Sequence, residues 1–148
     1  MSEVSIERLV EASQEAASQI HEILGQLTKH AEPMDTARLA MALEMPGNVY
    51  VARVEGRIVG MLQRVDVRHL VRTKCWIEDF VVDEAYRGNG IATKLLEKAI
   101  AEAPKSAASI NLTSKPMREG SHRLYAKLGF RLREETTLWR LTLKEPQK

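Results

Sequence analysis

The spacing of apolar residues along the chain predicts a strand and two helices in its first third. Residues 4–10 alternate between apolar and polar side chains, as a half-buried strand does. Apolar residues then recur every three or four positions over residues 13–30, which is typical of one buried face of a helix. Pro33 interrupts this pattern, and Asp35 is placed to cap a second helix over residues 36–45.

Alternation returns in the middle of the chain and predicts a sheet. Residues 49–55 and 57–68 form a hairpin around Gly56, and the more continuous apolar run over residues 75–83 favours a strand covered on both faces. The later elements are a helix over residues 91–103, a strand over 109–113, a helix over 120–128 ended by Gly129, and two strands over 130–135 and 137–143. The predicted order, β-α-α-β-β-β-α-β-α-β-β, is that of an α/β (α+β) fold with a central mixed sheet flanked by helices.

The composition fits one globular domain over residues 1–148. The chain is 44% hydrophobic and 28% charged, and no apolar run approaches the ~20 residues that cross a membrane. The first residues are acidic and mixed, unlike a secretory signal, so we expect a cytoplasmic protein without membrane contact. Because Cys75 is the only cysteine and the four histidines have no metal-ligand spacing, we expect neither a disulfide nor a metal site.

The net charge of +2 conceals an uneven distribution. Residues 1–56 carry nine acidic and four basic side chains, a formal charge of −5, whereas residues 57–148 carry eleven acidic and eighteen basic ones, a charge of +7. A basic half can attract nucleic acid or a phosphorylated cofactor, or can simply be a solvated surface. Two Trp, three Tyr and two Phe residues are too few for a base-stacking platform, so we expect no nucleic-acid partner.

The segment with the most informative chemistry is residues 81–93. It predicts the end of a strand, a turn containing Gly88 and Gly90, and the start of a helix, whose free N–H groups and positive dipole end attract anions. Arg87 adds a guanidinium that suits phosphate. The lysine and spacing of a phosphate-binding P-loop are missing, and Thr93 stands where a dinucleotide fingerprint has its third glycine. The spacing alone leaves open an anion site or a purely structural turn.

Two motifs resemble those of the GCN5-related N-acetyltransferase (GNAT) superfamily. Residues 87–92, with the sequence RGNGIA, match its Arg/Gln-x-x-Gly-x-Gly/Ala signature, and residues 124–130, LYAKLGF, resemble its LY-x-x-x-GF segment between a helix and a strand. Residues 112–114, LTS, resemble the family's fifth strand, where the sheet splays. The resemblance implies a GNAT domain that transfers an acetyl group directly from acetyl-CoA to a primary amine of a small molecule or peptide.

The resemblance also implies which residues bind acetyl-CoA. The backbone of Phe80, Val81 and Val82 would pair with the pantetheine arm as though the arm were an added strand. The pyrophosphate would be wrapped by Arg87, Gly88, Asn89, Gly90, Ile91, Ala92 and Thr93, and Ser114 would contact the cofactor after the fifth strand. Arg118 departs from the asparagine that many family members have at its position, so that cofactor contact is not carried over.

Tyr125 is the general acid that the resemblance implies, because a phenol can return a proton to the departing thiolate. Most aliphatic amines are protonated at neutral pH, so a base is also needed, and we prefer Glu78, acting through a water. Asp79 is the second candidate, since adjacent residues of a strand point to opposite faces unless a bulge intervenes. A purely structural ion pair is the other role open to Glu78.

The main alternative is a protein of another class, a CoA-binding sensor or interaction module without catalysis. The presence of both Tyr125 and a candidate base favours the enzyme. The acceptor is not identified by the sequence, although the acidic balance of residues 1–56 favours a cationic one. A homodimer is compatible with the resemblance, and Trp139 is expected to pack in the core.

Overall fold

The computed structural model describes residues 2–115 and 117–144, and it has five strands and four α-helices over those residues. In chain order they are β1 (Val4–Arg8), α1 (Gln14–Leu27), α2 (Thr36–Glu44), β2 (Gly47–Val54), β3 (Arg57–Arg68), β4 (Thr73–Val82), α3 (Ile91–Ala101), β5 (Ala107–Asn111) and α4 (Glu119–Lys127), with a single 3₁₀ turn at Glu84–Tyr86. The predicted order is confirmed as far as α4. No helix of the described chain is long and apolar enough to span a membrane.

The strands form one mixed sheet in the order β1-β2-β3-β4-β5, which confirms the predicted fold class. Neighbouring strands are antiparallel except β4 and β5, which run parallel and are connected through α3. The described chain divides after Leu112 into two compact units, the first holding the sheet with α1, α2 and α3, the second holding α4. A single domain over residues 1–148 stays a prediction.

Both N-terminal helices begin under a side-chain cap. The Ser13 hydroxyl accepts a hydrogen bond from the Ala16 N–H at 3.1 Å, and the Asp35 carboxylate accepts one from the Arg38 N–H at 2.8 Å, as the sequence predicts for Asp35. The two helices cover one face of the sheet. The core on this face consists of Leu9, Ala16, Ala17, Ile20, Ile23, Leu24, Leu39, Val49, Val51, Ile58, Met61 and Val81.

The third helix, α3, packs on the opposite face, where β3 has a glycine. A Cβ at Gly60 would lie 3.2 Å from Leu95 Cδ1 and 3.3 Å from Ile91 Cγ2, so the missing side chain lets the helix approach the strand closely. Because side chains alternate along a strand, Gly60 faces away from Met61, which belongs to the first core. The start of α3 is therefore held against the middle strand of the sheet.

The prediction of two strands at the end of the chain is wrong. Residues 130–144 contain neither helix nor strand, so the strands expected over 130–135 and 137–143 are both missing. The chain makes a local turn there, in which the carbonyl of Arg133 accepts a backbone hydrogen bond. Trp139, expected in the core, is 90% exposed. Alternating apolar residues favour a strand, but a strand also needs a neighbour for its N–H and C=O groups, and no described strand pairs with this segment.

Candidate functional site

One edge of β4 is open along its second half. Its parallel pairing with β5 runs only from Thr73 to Trp76 and ends opposite Asn111, the last residue of β5. The Asn111 side chain closes this ladder by donating a hydrogen bond to the Cys75 carbonyl at 3.2 Å. Beyond that point, no described strand pairs with β4 on this side, although β4 continues to Val82. An unpaired strand edge can bind an extended ligand through its backbone N–H and C=O groups.

A β-bulge interrupts the other side of β4, where it pairs with β3. Met61 lies opposite Val81 and Gln63 lies opposite Glu78, so two residues of β4 oppose one residue of β3 between these pairs. Asp79 is one of the two β4 residues that oppose this single residue of β3, and it has a left-handed backbone with φ of 50°. The bulge breaks the strict alternation of β4. Strict alternation would place the carboxylates of Glu78 and Asp79 on opposite faces of the sheet. With a bulge at this point, both could serve one site.

The two carboxyl groups at the bulge both have raised pKa values. Burial raises the pKa of Glu78, and the negative charge of Asp79 raises it further. Burial also raises the pKa of Asp79, while the positive charge of Arg38 opposes this rise. Arg38 comes from α2, where its guanidinium pairs with Glu32 at 2.5 Å. Of the two carboxylates, Glu78 is therefore the one whose basicity is increased by a charged neighbour, Asp79.

The turn after β4 exposes two glycines with left-handed backbones. Gly88 has φ of 83° and Gly90 has φ of 77°, and a Cβ at either position would face open space. The Asn89 amide donates to the Tyr86 carbonyl at 2.9 Å and so supports the turn from within. Arg87 donates from Nε to the Val82 carbonyl at 3.0 Å, and its terminal nitrogens form no hydrogen bond within the described chain. The turn therefore presents open backbone beside a guanidinium.

The helix that follows this turn begins without a cap. Gly90 occupies the N-cap position, and no described side chain accepts a hydrogen bond from the first turn of α3, which also contains no acidic residue. The first backbone bond of the helix runs from the Lys94 N–H to the Gly90 carbonyl at 3.1 Å, which leaves the N–H groups of Ile91, Ala92 and Thr93 without helical partners. This is the arrangement that binds phosphate at helix starts.

Sequence reasoning missed the residue that braces this turn. Gln26, near the end of α1, donates to the Asp83 carboxylate at 3.3 Å and accepts from the Glu84 N–H at 2.9 Å. Asp83 also accepts from the Ala85 N–H at 3.0 Å. Gln26 belongs to no motif, and its one signal is its position beside the buried face of a predicted helix. The brace fixes the end of β4 against α1.

The second unit contains Tyr125 on α4. Burial raises the pKa of its phenol, while a hydrogen bond from Ser121 and the positive charge of Arg118 lower it. The phenol therefore keeps its proton at neutral pH, and the two neighbours stabilise the phenolate that proton donation would leave. Ser114, the other predicted site residue in this unit, is exposed and lies 3.2 Å from the His122 ring nitrogen.

The helix that carries Tyr125 ends at a glycine, as predicted. Gly129 has φ of 97°, and its N–H donates to the Ala126 carbonyl at 3.1 Å. The Phe130 N–H then donates to the Tyr125 carbonyl at 2.9 Å, and the rings of these two residues lie 6.0 Å apart. These contacts are those of a left-handed helix end, which holds Phe130 against Tyr125.

The thiol of Cys75 is buried. Burial raises the pKa of its thiol to about 11, and a hydrogen bond to Asp66 adds to this rise. A thiol with this pKa is almost wholly protonated at neutral pH, so it is a poor nucleophile. No group of three His, Cys, Asp or Glu residues in the described chain could hold a metal ion.

Several known proteins that resemble this chain are acetyltransferases. The sequence model of the acetyltransferase (GNAT) family matches residues 10–130. An acetyltransferase from Trypanosoma brucei is 30% identical, with 94% of this chain and 100% of that chain covered and a TM-score of 0.75. Among curated protein sequences, none matches.

Two further structures share the fold at lower identity. An aminoglycoside acetyltransferase from an uncultured soil metagenomic sample is 24% identical over 96% of this chain and 99% of that chain, with a TM-score of 0.75. Glucosamine-6-phosphate N-acetyltransferase from Arabidopsis thaliana is 19% identical over 97% of this chain and 100% of that chain, with a TM-score of 0.79. With its motifs, its mixed sheet and a family match over most of its length, this chain belongs to the GNAT acetyltransferase family.

Proposed function

We propose that the protein transfers an acetyl group from acetyl-CoA directly to the primary amine of a small molecule or peptide. One observation carries this proposal: the open edge of β4 leads straight into the uncapped, glycine-rich start of α3. An extended arm with amide groups suits the strand edge, and a pyrophosphate suits the helix start. Coenzyme A contains both, in that order along its length.

The cofactor contacts divide between backbone and side chains. The backbone of Phe80, Val81 and Val82 pairs with the pantetheine arm. The pyrophosphate is held by Arg87, Gly88, Asn89, Gly90, Ile91, Ala92 and Thr93. For Ser114, a cofactor contact is proposed from the family resemblance alone. The donors are neutral N–H groups and one guanidinium, with no carboxylate in the first helical turn to repel the phosphates.

Glu78 acts as the general base, through a water. A protonated amine has no free lone pair, so a proton must leave before nitrogen attacks the thioester carbonyl carbon. The raised pKa of Glu78 supports this role, since a carboxylate of higher pKa accepts a proton more readily at neutral pH. Asp79 is the alternative base, and its coupling to Arg38 makes it the weaker one.

Tyr125 acts as the general acid. Glu78 takes one proton from the ammonium group before attack and later returns it to solvent. As the carbon–nitrogen bond forms and the carbon–sulfur bond breaks, the thiolate of CoA takes the phenolic proton of Tyr125. The nitrogen then loses its second proton, which restores the phenol, so each turnover releases one proton in total. No covalent acyl-enzyme forms on the one cysteine, because that thiol is buried and protonated.

A cationic amine, on a small molecule or a peptide, is the acceptor that the chain favours. The two solved structures of lower identity are those of an aminoglycoside acetyltransferase and a glucosamine-6-phosphate N-acetyltransferase, and each of those proteins is named for an acceptor with an amino group. In this chain, the carboxylates of Glu78 and Asp79 and the charge of −5 over residues 1–56 favour a positively charged ligand.

Thiol release tests the proposal. Acetyl-CoA is incubated with the protein and a panel of polyamines, amino sugars, aminoglycosides and peptides with free N-termini, and free CoA thiol is measured over time. We expect acceptor-dependent release, together with CoA binding by calorimetry. Binding without release by any amine would instead indicate a sensor or interaction module, and no binding at all would refute the assigned cofactor site.

A further inference from the structure

A buried arginine lies on β3 beneath the end of α3. Arg64 is only 2% exposed, and no other charged residue of the described chain is so deeply buried. Its Nε and Nη2 donate to the two carboxylate oxygens of Asp66, at 2.8 and 3.2 Å. Its Nη1 donates to the Tyr50 hydroxyl at 2.9 Å and to the Ala99 carbonyl at 3.0 Å. Asp66 balances the charge of the guanidinium, and Nη1 is the nitrogen that contacts the helix.

The contact with Ala99 satisfies a carbonyl that the helix itself cannot pair. The last four carbonyls of an α-helix have no partner within it. In α3, those of Lys98 and Ile100 accept from backbone N–H groups beyond the helix, at 3.1 and 3.2 Å. The Ala99 carbonyl accepts from Arg64 instead. A guanidinium at this point also complements the negative end of the helix dipole.

Tyr50 adds a second link between the sheet and the same end of α3. Its side chain is fully buried, and its hydroxyl donates to the Glu102 carboxylate at 3.0 Å while accepting from Arg64. Glu102 is the C-cap residue of α3. The helix end is thus tied to β2 and to β3.

These contacts hold α3 at both ends along β3. Gly60 lies under Ile91, near the start of the helix, and Arg64 binds Ala99, near its end. Gly60 and Arg64 are on the same face of the strand, about 13 Å apart at the usual rise of a strand. Ile91 and Ala99 are about 12 Å apart along a helix. The helix therefore lies along the strand in a register that two separate contacts define.

We propose that Arg64 is a positioning residue for acyl-CoA binding. By holding the end of α3 against the sheet, it fixes the direction in which the start of the same helix presents its N–H groups. A helix moves as a rigid body, so release of one end tilts the other. The inference rests on the proposed function, since it takes the start of α3 as the pyrophosphate site.

The test compares two ligands in Arg64→Met, which keeps much of the side-chain volume and removes every hydrogen bond of the guanidinium. The Kd of CoA is measured by calorimetry, and that of pantetheine, which lacks the pyrophosphate, by NMR titration. Arg57→Met is the matched control, because Arg57 is an exposed arginine at the other end of β3, paired with Glu22. Thermal melting reports whether each variant folds.

We expect Arg64→Met to weaken CoA binding by about tenfold, equal to ~1.4 kcal/mol, without changing the Kd of pantetheine. Arg57→Met should change neither, and Arg64→Lys should recover part of the CoA affinity. Equal losses for both ligands, or no loss in a folded variant, would overturn the inference. A wild-type protein that binds no CoA would refute the proposed function instead.

A second variant decides the matter if Arg64→Met does not fold. Tyr50→Phe keeps the buried ring and removes only the hydroxyl that joins Arg64 to Glu102. We expect the same preferential loss of CoA affinity, smaller in size because the Ala99 contact remains. An unchanged CoA affinity in folded Tyr50→Phe would then overturn the positioning role.

Discussion

Adjacent carboxyl groups at the β4 bulge differ in their surroundings, and we infer different roles for them from this difference. The pKa of Glu78 is raised first by burial and then by the charge of Asp79. The pKa of Asp79 is also raised by burial, but the charge of Arg38 acts against that rise. A base works best when its pKa approaches the working pH. In the proposed mechanism, Asp79 therefore supports Glu78 through its negative charge, which raises the pKa of that base.

Substitution of each carboxylate should give a different pH profile. Glu78→Gln removes the base, and we expect a loss in kcat/KM of about 10²-fold or more. Asp79→Asn removes the negative charge that raises the pKa of Glu78, so that pKa falls and Glu78 stays ionised to lower pH. The acid limb of the kcat/KM profile should then move to lower pH with activity retained. Loss of activity in Asp79→Asn with retention in Glu78→Gln would assign the base to Asp79.

Removal of a single oxygen atom tests the general acid. Tyr125→Phe keeps the ring that lies beside Phe130 and removes only the phenolic hydroxyl, with its proton. We expect kcat to fall by about 10²-fold, because the thiolate then leaves without a proton donor. The Kd of CoA, measured by calorimetry, should be unchanged. An unchanged kcat at neutral pH would exclude Tyr125 from this role.

At the scale of elements, the glycine turn before α3 allows a matched comparison. Gly90 and Gly56 have nearly the same backbone, with φ of 77° and 79°, and a Cβ at either would face open space. Valine at each position should therefore cost a similar amount of stability, about 1–2 kcal/mol for a left-handed conformation. Only Gly90→Val places a side chain where we propose that the phosphates approach. We expect it to abolish CoA binding, while Gly56→Val binds as wild type.

Thermal melting and calorimetry together make this comparison decisive. Melting should show comparable shifts for Gly90→Val and Gly56→Val, which removes strain as an explanation of any difference in binding. Tight CoA binding by a folded Gly90→Val would show that phosphate does not approach the backbone at this turn. The pyrophosphate would then have to be placed elsewhere.

Elements with a local signal were predicted well. The Asp35 cap, the apolar face of α1 and the end of α4 before Gly129 each depend on residues close together in the chain, and all are confirmed. The strands expected over residues 130–135 and 137–143 fail because pairing depends on a partner that periodicity does not reveal. The bulge at Asp79 is similar, since nothing in its own sequence requires the register shift opposite Leu62.

For the whole molecule, the contacts that place the site join distant parts of the chain. Gln26 braces Asp83, fifty-seven residues on, and Arg64 binds Ala99, thirty-five residues on. Motifs located the turn and the candidate acid, because glycines and a tyrosine at fixed spacing are visible in one sequence. They could not show how α1 and β3 hold that turn in place. Such long-range packing follows from the assembled sheet rather than from any one segment.

Direct transfer of the acetyl group can be distinguished from a covalent acyl-enzyme by measurements on the whole protein, without knowing which residues are catalytic. Cys75 is its one cysteine, and burial raises the pKa of that thiol to about 11, so it does not accept the acetyl group. We expect initial rates to fit a sequential mechanism, Cys75→Ala to retain transfer activity, and mass spectrometry to find the chain unmodified after incubation with acetyl-CoA alone. Parallel double-reciprocal lines, with an acetylated protein in the absence of acceptor, would instead require a covalent intermediate on a residue other than those assigned to catalysis.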